Sequence, residues 1–340
     1  MIKINFTDAI KFAHLKNLAR NKKNIVLGLG MTYPNEGLYE KFKNQVFDTP
    51  VSEMSITGMA VGLASQGFRP CIVHGRVEFA MLAFDQIFTH ASRWDYMFGG
   101  NYKCPVTFRI AIGRQWGNGP QHTQALYSLF GNIVGLKVVI PSSPKMAKGL
   151  LLSAVRDNSP VVFLEPRWLY QTKGIVPEAI GYINIDRARI VREGTDVTLV
   201  AYGDGLVDSY KAAKILEVYG ISAEVIDLVS INPIDHETIL ISLEKTNQLV
   251  CVDTTNKAFC VGNEIIGNLV QLRSKPLLSK PISISCPNIP CPTATSLTDN
   301  YYPTKVSIAN TILAMFGKPA INIKLTFEEL NLAPTDILDI

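Results

Sequence analysis

Residues 135–166 read "GLKVVIPSSPKMAKGLLLSAVRDNSPVVFLEP". A short β-rich run, GLKVVIPSS, passes into the helical period of PKMAKGLLLSAVRDN, and a second apolar run, PVVFLEP, follows. Strands apolar on both faces and joined through a helix imply a parallel sheet covered by helices. The same alternation extends toward the N-terminus through NIVLGLG, EMSITGMAVGLASQG, RPCIVHG, EFAMLAFDQIFTHASRWDYMF and CPVTFRIAIG. It lapses in KGIVPEAIGYINIDRARIVREGT and restarts with DVTLVAYGDG, LVDSYKAAKILEVYG, ISAEVIDLVSI, TNQLVCVDTT and NEIIGNLVQ. The reading is therefore an α/β protein of two domains, residues 1–188 and 189–320, followed by an acidic tail, 321–340. That tail is expected either to dock on a neighbour or to fray.

Composition limits the function. With 340 residues, 47% hydrophobic and 18% charged, the chain can bury a large core. No apolar run approaches the roughly 18 residues that span a bilayer, and the first residues lack the continuous apolar core of a signal peptide, so a cytoplasmic protein is expected. The net charge of +4 is spread along the chain, which argues against nucleic acid and membrane partners. The six cysteines, Cys71, Cys104, Cys251, Cys260, Cys286 and Cys291, form no C-x-x-C pair and have no histidine at zinc-ligand spacing. They read as reduced structural thiols, and no metal site is expected.

Three stretches carry candidate chemistry. In FDTPVSEMSITGMAVG, residues 47–62, Glu53 stands at the start of an apolar helix that Ser52 can cap, and Gly58 and Gly62 leave one face bare. Glu53 can be a first-turn carboxylate that merely favours the helix dipole, or a functional acid with little polar material around it. In IGRQWGNGPQHTQAL, Gly113, Gly117, Gly119 and Pro120 build a loop that ends at His122, just before a helical run. An imidazole held there can stabilise an oxyanion or move a proton, or can simply be satisfied by loop carbonyls. The third stretch, Gly203-Asp204-Gly205 with Asn232 further on, suits either a magnesium-diphosphate site or a plain strand-to-helix turn whose Asn232 caps the next helix.

Taken together, GLYEKFKNQVFDTPVSEMSITGMAVGLASQGFRP, FAMLAFDQI, GPQHTQ, the 135–166 stretch and GISAEVIDLVSINPID resemble the beta subunit of the first component of 2-oxoacid dehydrogenases. This family, with pyruvate, branched-chain and acetoin enzymes, belongs to the transketolase-like thiamine diphosphate group, and the resemblance runs from about residue 24 to about 317. It implies a pyrimidine-binding domain followed by a transketolase C-terminal domain. It implies that Glu53 is the acid that hydrogen-bonds the aminopyrimidine ring of thiamine diphosphate, that Phe79 packs on that ring, and that His122 is the active-site histidine. The Gly-Asp-Gly turn then becomes an ordinary turn of the C-terminal domain, and the diphosphate and its Mg2+ belong to a separate alpha chain. An alpha2beta2 heterotetramer follows, with Gly58 and Gly62 as part of the subunit contact and, in some relatives, a monovalent-cation loop near Asp157. The substrate implied is a 2-oxoacid, with a lipoyl-domain acyltransferase as one possible acceptor. GPQHTQ is also similar to a transketolase motif, which keeps open ketol transfer or carboligation on a sugar-like substrate by a split transketolase; a non-catalytic scaffold is the third reading.

The sequence departs from the family at Leu29, at Asp253-Thr254, at Phe259-Cys260 where relatives carry paired glycines, and at Arg76-Val77 beside the expected pocket. Arg76 or Arg114 is accordingly expected to pair either with a carboxylate or phosphate of an unusual substrate or with a surface or interface acid.

Overall fold

The computed structural model describes residues 1–31, 37–114, 118–179, 181–298, 300–331 and 334–337. The first part runs β1 (Ile2–Asn5), α1 (Phe6–Arg20), β2 (Asn24–Gly28), β3 (Val46–Asp48), α2 (Glu53–Ser65), β4 (Arg69–His74), α3 (Val77–Ala80), α4 (Trp94–Met97), β5 (Thr107–Ile112), α5 (Tyr127–Gly131), β6 (Lys137–Val139), α6 (Pro144–Arg156), β7 (Val161–Pro166) and β8 (Lys173–Val176). The second runs β9 (Arg189–Arg192), β10 (Val197–Ala201), α7 (Gly203–Val218), β11 (Ala223–Asp227), β12 (Ser230–Asn232), α8 (His236–Thr246), β13 (Leu249–Asn256), α9 (Val261–Leu272), β14 (Ile282–Cys286), α10 (Thr295–Thr298), α11 (Lys305–Met315) and α12 (Phe327–Asn331).

The 135–166 stretch folds as its pattern predicts. Pro144 opens α6 at a position where its missing N–H is not needed, and the Ser143 hydroxyl accepts from Met146 N at 3.4 Å. Every residue of β7 is buried, as a central parallel strand requires. The sheet order is β12-β6-β7-β5-β4-β2-β3, parallel except for β12, so the carboxyl ends of β3, β4, β5 and β7 lie along one edge. Ile56 and Val61 of α2 pack with Phe108 and Leu164 on one face, while Phe6, Ile10 and Leu150 of α1 and α6 pack with Phe163 on the other. Each such side chain contributes about 1.5–3 kcal/mol on leaving water.

The second sheet, β14-β13-β10-β11-β9, is parallel except for β9. Leu206 and Leu216 of α7 pack against Ile308 and Ile312 of α11, whereas Ile239 of α8 and Ile265 of α9 join the core of the first sheet. Because β12 also pairs with β6, the two halves share both a core and a strand.

The described end of the tail, residues 334–337, returns to its own first domain. Asp336 bridges to Lys173 on β8, Ile337 N donates to the Lys173 carbonyl at 2.9 Å, and Lys3 meets Asp336 at 2.9 Å. Ile337 is buried in the core beneath. All six cysteines are free and buried. Among the described residues no helix is long and apolar enough to cross a membrane, and no group of three or more His, Cys, Asp or Glu side chains is placed to hold a metal ion.

Candidate active site

Glu53 is the first residue of α2, which starts just beyond the carboxyl end of β3. The Ser52 side chain makes no capping bond, contrary to the spacing, so the free first-turn N–H groups and Glu53 both face the edge of the sheet. What fixes the helix is Thr57, one turn on, whose hydroxyl is 3.1 Å from Nε2 of buried His74 at the end of β4. Burial pushes the His74 imidazole down to about 4, so it is neutral at pH 7. Among the described residues no donor reaches the Glu53 carboxylate.

The next strand end supplies Phe79. It lies on α3 just past β4, and its ring is 42% exposed, high for an aromatic on a helix facing the sheet. The β5 loop brings His122 against it, the two rings meeting edge to face at 5.6 Å and 84°. Two bonds hold that loop: Arg76 Nη1 donates to the His122 carbonyl at 2.7 Å, and Gln124 N donates to Glu78 Oε1 at 2.8 Å. Gly119 takes φ +66°, and its carbonyl accepts from the Thr123 hydroxyl at 2.6 Å. Gly117 lies outside the described residues. The helix expected directly after His122 starts later, at Tyr127, because Leu126 adopts φ 44° and interrupts it. Glu53, Phe79 and His122 thus arise from three strands and share one edge, where ligands bind in open α/β sheets.

Several expectations are corrected. A side chain at Gly58 would meet Gln86 of the π-helical turn Gln86–Ala91 at 3.6 Å, whereas Gly62 is open, and neither observation bears against a subunit contact there. Asn232 caps no helix: its amide donates to the carbonyls of Gly131 and Ile133 at 3.3 and 3.2 Å, and Asp235 caps α8 instead. Asp204 is buried and engaged within the chain. The Thr254 hydroxyl donates to it at 3.0 Å and Arg114 Nε lies 3.4 Å away, while Arg114 Nη2 donates to Asp208 at 2.9 Å. Of the two expectations for Arg114, the interface acid is the one met: it pairs with Asp204 and Asp208 across the two domains, and its guanidinium lies 3.7 Å over the Trp168 ring. At the Asp157 turn, one nitrogen of Arg69 donates to the carbonyls of Val155, Arg156 and Asp157 at 3.2, 3.0 and 2.8 Å, and the other donates to Asn158 Oδ1. A guanidinium thus occupies the carbonyl cluster where a monovalent cation was expected.

A further group was missed by the sequence reading. Arg167 follows directly on β7 and so stands at the same edge as Arg76 with β5 between them, and its charge helps to hold Arg76 below its usual range. Nothing in its local pattern marks it, since it becomes a neighbour of Arg76 only when β7, β5 and β4 line up.

The comparisons with known proteins bear on the whole chain. The transketolase pyrimidine-binding domain matches residues 6–173 and the transketolase C-terminal domain residues 186–308. The beta subunit of the acetoin:2,6-dichlorophenolindophenol oxidoreductase of Bacillus subtilis is 41% identical over 296 residues, 86% of this chain and 85% of that protein. This chain belongs to the E1 beta-subunit family of 2-oxoacid and acetoin dehydrogenases. The mitochondrial pyruvate dehydrogenase E1 beta subunit of Saccharomyces cerevisiae is similar as well, 37% identical over 317 residues, 90% of this chain and 87% of that one. In fold, the E1 beta chain matches a split-gene transketolase described as an inactive beta4 tetramer with a TM-score of 0.76, over 92% of this chain and 97% of that one, at 21% identity.

Proposed function

We propose that this chain supplies the pyrimidine-side half of a thiamine diphosphate active site in a 2-oxoacid dehydrogenase, and that it works only with an alpha subunit in an alpha2beta2 assembly. The observation that carries this reading is Glu53, a half-buried carboxylate left without a donor at an open sheet edge, beside an exposed aromatic ring that a histidine braces. An unpartnered carboxylate and a free ring face suit an aminopyrimidine, which offers a nitrogen to protonate and a flat surface to stack on. Bound thiamine diphosphate would supply the carbon nucleophile that adds to a 2-oxo carbon and holds the charge left when CO2 departs. Glu53 then holds and moves the proton at the ring nitrogen, Phe79 orients the ring, and His122 donates to the oxyanion that develops at the former 2-oxo oxygen.

The diphosphate and Mg2+ are assigned to the alpha subunit, because Asp204 is already committed to Arg114 and Thr254. The surface around the edge supports a partner that covers it: Val51, Met54 and Met59 beside Glu53, and Leu82 and Phe88 beside Phe79, are all exposed. We further assign residues 1–188 and 189–320 as the two domains and 321–340 as the tail, a cytoplasmic location, and an acyl acceptor such as a lipoyl-domain acyltransferase.

The test is to co-express the chain with its alpha partner and to measure thiamine diphosphate binding and 2-oxoacid turnover for wild type and Glu53→Gln. Turnover falls by about 10²–10⁴-fold in the variant, the range of a lost proton-transfer group. Full turnover in Glu53→Gln overturns the assignment.

A further inference from the structure

Two arginines stand at the open edge on either side of one strand, β5. Arg76 stands between β4 and α3, and Arg167 directly follows Pro166, the last residue of β7. The strand between them is β5, with His74 paired to Ile110 and Pro166 to Ile112, so both arginines flank the loop that β5 sends to His122. Burial first, and then the Arg167 guanidinium, hold Arg76 below its usual range, while Glu78 and Tyr170 act in the opposite sense. Glu78 is a single carboxylate against two guanidinium groups, so the pair keeps an excess positive charge. The Glu78 carboxylate accepts from Gln124 N at 2.8 Å, and the Tyr170 hydroxyl donates to Glu165 at 3.0 Å.

Other arginines in the interior are matched. Arg109 binds Glu165, Arg114 lies between Asp204 and Asp208, and Arg189 binds Asp227. By contrast Arg76 donates to a neutral carbonyl, and Arg167 has no side-chain acceptor among the described residues. Two guanidinium groups that face a single carboxylate at a half-buried edge keep an excess positive charge that a bound anion offsets. Planar guanidinium forks suit a carboxylate or a phosphate group.

We propose that Arg76 and Arg167 form an anion clamp that selects a substrate carrying a second anionic group, a carboxylate or a phosphate, beyond the 2-oxoacid function that reacts. This inference rests on the thiamine diphosphate reading of the same edge. The reacting carboxylate itself is a poor occupant, because it leaves as neutral CO2, and two arginines fixed on it stabilise the ground state more than the transition state. A second anion keeps its charge throughout the reaction, and its binding then serves orientation.

The experiment uses the complex reconstituted with its alpha subunit and thiamine diphosphate. Initial rates are measured with 2-oxoglutarate for the carboxylate arm, 2-oxo-4-phosphonobutyrate for the phosphate arm and pyruvate as the singly charged reference. The readout is the ratio of kcat/KM for each doubly charged substrate to that for pyruvate. Arg167→Leu is expected to lower the ratio for at least one arm by about 100-fold, mainly through KM, and Arg167→Lys to restore part of it. An unchanged ratio in both arms, or wild-type turnover of pyruvate alone, overturns the clamp. Titration of the same complex with glutarate and with inorganic phosphate gives an independent arm: binding lost in Arg167→Leu supports the clamp, and no binding to wild type overturns it. Glu53→Gln is run alongside. Its loss of turnover with an unchanged Arg167 ratio overturns the clamp alone, whereas its full turnover overturns the reading of the edge.

Discussion

The carboxyl edges of the two sheets look alike in sequence and opposite in structure. Each carries an acid in the first turn of a helix that follows a strand, Glu53 on α2 and Asp204 on α7. Around Asp204 the chain has closed every opening: Thr254 donates to it, Arg114 lies beside it, and Trp168 and Tyr302 cover the guanidinium. Burial pushes the Asp204 carboxyl up, and Arg114 and Thr254 oppose that rise. Around Glu53 no donor among the described residues closes the site, the neighbouring methionines and Phe79 remain exposed, and two arginines share the one carboxylate of Glu78. A chain fills the edge that it uses for its own cohesion and leaves incomplete the edge that, in the function proposed above, a cofactor, substrate and partner finish.

Paired substitutions test that contrast most severely. Glu53→Gln should remove the turnover described above while shifting stability by no more than about 0.5 kcal/mol, since its side chain has no partner to lose. Arg114→Met should do the reverse to the fold, costing about 3–5 kcal/mol by leaving Asp204 and Asp208 buried without a cation. Denaturant midpoints of the isolated chain measure both. If Glu53→Gln unfolds the protein, or Arg114→Met leaves its stability untouched, the division between an open and a closed edge is wrong.

A pH series addresses what holds the open edge in place. The folded protein keeps His74 neutral, its imidazole pushed down to about 4 from an ordinary value of 6.5. Its contribution is therefore fully present above pH 6.5 and is lost as pH falls from about 6.5 toward 4, where the unfolded chain takes up the proton first. The shift corresponds to on the order of 3 kcal/mol. Buried His14 moves in the same direction, through burial and then Arg109, so the whole decline does not belong to one residue. Urea midpoints at pH 7 and pH 5 for wild type and His74→Gln isolate the His74 share; a variant with the same pH loss as wild type removes it from the account.

The sequence made the layers legible but not the closure of the second edge. The 135–166 pattern, the start of α2 at Glu53 and the turn to α7 at Gly203 are local, and the structure has them where periodicity puts them. Arg114 was left between a substrate anion and a surface or interface acid because its partners, Asp204 and Asp208, lie about 90 residues further on and nothing local announces them. Arg167 escaped for the same reason, since its neighbour Arg76 is brought near only by strand order. The Asp157 turn was misread because Arg69, which fills its carbonyls, sits on a distant strand.

The smallest effect sits on an exposed strained point of the closed region. Phe259 adopts φ +56° and is 88% exposed, at the rim of a cleft of about 880 Å3 that His236, Cys260 and Glu264 also line. A left-handed conformation costs a residue with a Cβ roughly 1–2 kcal/mol, and glycine avoids that cost but loses about 0.5–1 kcal/mol through its greater freedom when unfolded. The strain term is the larger, so Phe259→Gly should stabilise the isolated chain by roughly 0.5–1 kcal/mol, read from the denaturant midpoint. A loss of stability instead means that the exposed ring packs in the folded monomer and that the second region is closed even at its rim. A gain in the isolated chain together with weaker assembly with the alpha subunit places Phe259 among the groups kept under strain for a partner, and makes this rim a second, smaller open edge.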